Sequence, residues 1–131
     1  MKRTLSFAAM LAVLLYVGGC GGDSHESLAS EQMSTMKEFI ATMDTVKDAD
    51  SAKAAKSKLK SILENMKEIN QREAKLPAPT EAEIKAMDTK YGKQMEEMSQ
   101  KMQAAMFKVI ADPKIAAELQ DIDTNVGKGR G

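Results

Sequence analysis

Apolar positions in this chain follow two different patterns, and the change comes at Cys20. From Leu5 to Val17 they are almost continuous, a run of thirteen residues interrupted at Ser6. Beyond Cys20 they recur every three or four residues, which is the spacing of one helical face. Met33, Met36, Ile40 and Met43, with Phe39 and Val46 widening the stripe, predict a helix from about Ser30 to Lys47. Continuing that stripe would reach Lys47, Asp50, Ala54 and Ser57, which are mostly polar. The apolar positions instead resume two residues earlier, at Ala52, Ala55, Leu59, Ile62, Met66 and Ile69. Two residues rotate a helical face by roughly 200°, so one straight helix cannot carry both stripes. The spacing therefore predicts a turn at 48–51, with Asp48, Asp50 or Ser51 as N-cap, and a second helix over 51–75.

The segment Leu76-Pro77-Ala78-Pro79-Thr80 ends that helix, because proline lacks a backbone donor and drives its predecessor out of the helical region. Thr80 and Glu83 have the spacing of a capping box, which starts a third helix over 80–110, roughly 45 Å long. Its stripe is Ile84, Met87, Tyr91, Met95, Met98, Met102, Ala105, Met106 and Val109, and Gly92 interrupts it. Asp112-Pro113 then reads as N-cap and first residue of a short fourth helix carrying Ile115, Ala116, Leu119 and Ile122. Gly21 to Leu28, with His25 inside it, reads as a flexible tether, and the Gly-rich tail from Asp123 has nothing to bury. The expected fold is all-α: an elongated three-helix bundle or helical hairpin with a short C-terminal fourth helix.

The N-terminal run has its own meaning. Met1-Lys2-Arg3 is basic, the apolar stretch follows, and small residues lead to Cys20, the order of a secretory signal. Thirteen residues fall short of the ~20 that a membrane-spanning helix needs. The ending Val17-Gly18-Gly19-Cys20 resembles the lipobox of bacterial lipoproteins. That resemblance implies a diacylglyceryl group on the Cys20 sulfur, cleavage before Cys20 and acylation of the new amine. It also implies a protein exported and held on a membrane, with Gly21 fitting the outer membrane, facing the periplasm, where a cell has two membranes. Cys20 is the only cysteine, so no intramolecular disulfide is possible, and an exported lone thiol calls for another role. The organisation read from the chain is a signal peptide over 1–19, a lipidated cysteine and tether over 20–29, a helical domain over 30–122 and a disordered tail over 123–131.

Charge narrows the partners. The chain carries 19 basic and 19 acidic residues, and loss of Lys2 and Arg3 with the signal leaves a net charge of −2. Such a balance, in an exported chain, argues against nucleic acid. Residues 23–50 are mainly acidic and 51–76 mainly basic, which favours an antiparallel pairing of the first two helices although each exposed pair contributes little.

Two kinds of side chain are candidates for chemistry. Met95, Met98, Met102 and Met106 fall on one helical face, and Met33 and Met36 form a second pair. Thioethers suit Cu(I), but the same face is where a bundle core needs flexible filler, and the one histidine, His25, lies apart. Lys53, Lys56, Lys60 and Lys67 share roughly one side of the second helix and can face lipid headgroups or a partner. The alternative is a solvated face pairing with Asp44, Asp48 and Asp50. Nucleophile and base arrangements are absent from the sequence, so a non-enzymatic structural or protein-interaction module is expected. Its cofactor is none beyond the covalent lipid, and its partners are the membrane, through the anchor, and a protein or a second copy of itself. Periplasmic soft-metal binding through the methionines is the alternative.

Overall fold

The computed structural model describes residues 22–122. The expected signal peptide over 1–19, Cys20 and the expected tail from Asp123 lie outside them. Among the described residues are four helices and no strand: α1 His25–Asp44, α2 Ala49–Ala74, α3 Glu81–Ala111 and α4 Pro113–Leu119. The all-α expectation of three long helices and a short fourth is met. No helix among the described residues is long and apolar enough to cross a membrane.

Each helix begins on a side-chain cap. Asp48 accepts from the Ser51 N–H at 2.8 Å, while the Ser51 hydroxyl accepts from the Asp48 N–H at 3.0 Å. Thr80 and Glu83 exchange the same pair of bonds, and Asp112 caps α4 with Pro113 at its first position. In each case the cap satisfies donors that the first turn leaves without partners. The start of α1 differs from the sequence expectation. It lies at His25, inside the stretch read as a tether, because Ser24 and Ser27 form a reciprocal cap. A serine in place of Glu or Gln at the third position is not the usual signature of that motif, and Leu28 stands five residues before Met33, off the stripe. The helix also ends earlier than expected, at Asp44. Val46, assigned from its spacing to the helical face, instead sits in the turn that follows, fully buried.

The topology is up, down, up. Arg72 reaches Glu31 and Lys58 reaches Glu38, so α1 and α2 run antiparallel. Lys90 reaches Glu26 and Lys108 reaches the Met43 carbonyl, so α3 runs parallel to α1. α1 is the spine, with α2 on one side and α3 on the other; no Cα of α2 comes within 8 Å of one in α3. α4 packs against both α2 and α3 and closes one end. The main core lies at that end, where Phe39, Met43, Val46, Leu59, Ile62 and Ile115 meet. A smaller cluster of Met33, Ile40 and Met98, with Met36 and Tyr91 against it, joins α1 to α3 further along.

This arrangement limits how much of α3 is covered. Its long apolar stripe predicts a helix buried along its length, yet only Met98 and Ala105 are fully buried. α3 has 31 residues against the 20 of α1, and α2 meets it only through side chains of the main core, so the rest of the stripe has too little to pack on.

Candidate functional surface

Large apolar side chains that stay exposed are informative when they gather on one element. Among the described residues all five lie on α3: Ile84, Met95, Met106, Phe107 and Ile110. Phe107 and Ile110 are the extremes, 70% and 74% exposed. They are three residues apart and so neighbours on the helix surface, with Met106 beside them toward the core edge. Below Met106 a partly open pocket of about 190 Å³ enters the closed end of the bundle. Phe39, Leu63, Val109 and Leu119 line it, and Gln120 is its one polar wall residue. Met106 thus joins the exposed apolar patch to an apolar hollow. Phe107 escapes stripe-based reading because it lies off the α3 stripe; a bulky aromatic on an otherwise polar helical side is the signal that would have found it.

The methionine series does not converge. Met98 is buried with Met33 and Ile40, Met102 packs half-buried against the main core, and Met95 and Met106 are exposed. Met95 and Met106 are eleven residues apart, about 16 Å along the axis, so one ion cannot reach all four. The methionines that the fold does gather are Met33, Met36 and Met98. Among the described residues no group of three or more His, Cys, Asp or Glu side chains converges to hold a metal ion.

The α2 lysines are divided as well. Lys56 is half-buried and donates to Asp121 at 2.9 Å, with Lys60 adding to the positive field there. The Lys56 hydrogen bond holds the Asp121 carboxyl below the usual carboxylate range. Lys53 and Lys67 are exposed. Lys58, outside the expected row, pairs with Glu38 at 3.6 Å, while Asp48 is occupied as the α2 N-cap. Gly92 answers to no partner helix, since a Cβ there would meet only the movable Asp88 carboxylate of the same helix.

The densest polar cluster sits at the opposite end from the pocket. Arg72, near the end of α2, donates to Asp23 through Nε at 3.0 Å and through Nη2. The same guanidinium donates to Glu31 at 2.7 and 3.0 Å. Two carboxylates on one planar fork hold Arg72 well above its ordinary range, and its hydrogen bonds draw the Asp23 carboxyl below its own. Next to this clamp, His25 Nε2 donates to the Pro77 carbonyl at 2.7 Å. Lys90 binds Glu26 and lies 5.2 Å from the Tyr91 ring centroid; the Glu26 hydrogen bond raises the pKa of Lys90. None of these groups follows from local sequence pattern, because their partners are 41 to 64 residues away.

Comparison with protein-family models, with curated proteins and with solved structures finds no match to this chain.

Proposed function

We propose that the protein is a non-enzymatic, lipid-anchored helical interaction module on a cell-envelope membrane, and that α3 is its docking element. The observation that carries the reading is that, among the described residues, the exposed large apolar side chains are confined to that one helix. A helix that has an apolar stripe and too little core to cover it is suited to an apolar face on another protein or a second copy of this chain. The lipobox-like Val17-Gly18-Gly19-Cys20 supplies the anchor, and two or three acyl chains hold a protein on a bilayer far longer than one. A role of this kind requires no bound cofactor.

The test places a photo-crosslinking amino acid at Phe107, or at Lys67 on exposed α2, in native membranes. A discrete adduct from position 107, absent from 67 and lost when Ile110→Ser is added, is the expected result. Twice the monomer mass identifies self-association, and any other mass a distinct partner. Equal labelling from both positions would remove α3 as the docking element.

A further inference from the structure

We infer that the Arg72 clamp sets the stance of the protein on its membrane: the Leu76–Pro79 loop rests on the bilayer surface and the Phe107/Ile110 patch faces away from it. This rests on the lipid-anchor reading of Cys20. The lipid-bearing residue would be only three positions from Asp23, at most about 11 Å of extended chain. Asp23 is not free to swing, because Arg72 binds both its oxygens and ties it to Glu31 of α1. The next residue, Ser24, is locked as the α1 N-cap. The bundle end that includes Asp23 is therefore kept within about one short linker of the headgroups.

What that end presents suits a lipid surface. The His25 bond to the Pro77 carbonyl holds the α2–α3 loop beside the anchor point. Pro77, Ala78 and Pro79 are exposed, and Leu76 is half-buried. The loop is apolar and also poor in backbone donors, whose desolvation would oppose contact with the bilayer. Pro77 and Pro79 have no N–H. The Leu76 N–H is bound to the Glu73 carbonyl at 3.0 Å, and that of Thr80 to Glu83 at 2.8 Å. Only the Ala78 N–H is left for solvent. At the other end, α3 carries Phe107 and Ile110 some 40 Å along its axis from the loop, beyond the reach of the same surface.

The chain has no tryptophan, so one introduced indole reports its own position. Ala78→Trp and Ala111→Trp variants of the full-length protein would be extracted from membranes and reconstituted into phosphatidylcholine vesicles with brominated acyl chains. The expected result is at least twofold quenching in Ala78→Trp and none in Ala111→Trp, with the Ala78→Trp quenching reduced when Arg72→Gln is added. Equal quenching at the two positions, or stronger quenching in Ala111→Trp, overturns the stance. Unchanged quenching on adding Arg72→Gln overturns the role of the clamp. Mass spectrometry of the same preparation separates the two readings: an unmodified Cys20 overturns the anchor itself, whereas acylated Cys20 with quenching at the wrong end overturns only the orientation.

Discussion

The two ends of this bundle are held by different chemistry. Where α4 closes the gap between α2 and α3, four helices surround a core of Phe39, Met43, Leu59, Ile62 and Ile115, and cohesion comes from apolar surface removed from water. Where α1 begins, α4 is absent, α3 runs past the spine, and beside the buried Leu28 and Ile69 the joints are Arg72 with Asp23 and Glu31, His25 with Pro77, and Lys90 with Glu26. Burial resists disruption almost regardless of pH and salt. Exposed ion pairs are screened and weak individually, so what they supply is placement. The first end accounts for why the chain folds, and the second for how its parts are oriented once folded.

That contrast can be broken most forcefully in the core. Leu59 is 1% exposed, and Leu59→Ala should cost about 2–5 kcal/mol through lost burial and the cavity left behind, read as a lower urea midpoint at unchanged slope. A smaller effect comes from Met98, at the junction between the two regions. Met98→Leu keeps the volume and should cost less than about 1.5 kcal/mol, whereas Met98→Ala should approach the Leu59→Ala value. The Leu variant also tests the metal alternative. Micromolar Cu(I) binding by the wild type that disappears in Met98→Leu would make Met33, Met36 and Met98 a ligand set instead of packing.

The smallest loss of stability is expected at the stitched end, and it should depend on pH. Arg72 holds the folded Asp23 carboxyl below its ordinary value, so the unfolded chain binds the proton more readily and stability rises with pH. The contribution of the pair is present above about pH 4, near the ordinary carboxylate value, and is lost as pH falls through and below that range. Thermal melts from pH 7 to pH 2 should therefore show a difference between wild type and Arg72→Gln that narrows toward the acid limit. A difference constant across that range would show that the clamp acts by packing alone.

The same division decides what the sequence discloses. Caps at Thr80 and Asp112, the broken register between Met43 and Ala52, and the proline boundary are local, and each is found where spacing and residue type place it, while Asp48 is the one of three candidates that caps α2. The α2 stripe is legible for the same reason: Ala52, Ala55, Leu59, Ile62 and Ile69 are all buried, and Met66 is half-buried. The α3 stripe misleads because periodicity shows which face is apolar without showing how much of it finds a neighbour. That amount depends on α1 being shorter and on α2 approaching α3 only at the main core. The Arg72 clamp is unreadable locally, since one arginine in a charged segment does not announce two carboxylates more than 40 residues earlier.

Val46 gives the α1–α2 turn a property that no other connection here has. The connection runs only from Thr45 to Asp48, and its second residue is fully buried. The Val46 N–H is fixed to the Met43 carbonyl at 3.0 Å, and the Lys47 N–H to the Ser51 hydroxyl at 2.8 Å. The turn is consequently a spacer of set length. One added residue would either expel the valine or advance α2 by about 100°, turning Leu59 and Ile62 away from α1. The Leu76–Thr80 connection has no plug of this kind, and lengthening it costs only the slowly growing entropy of a longer loop. Insertion scanning should therefore return folded protein from 77–79 and none from 46–47, so that lineages of this chain would vary in length at one end of the bundle and stay fixed at the other.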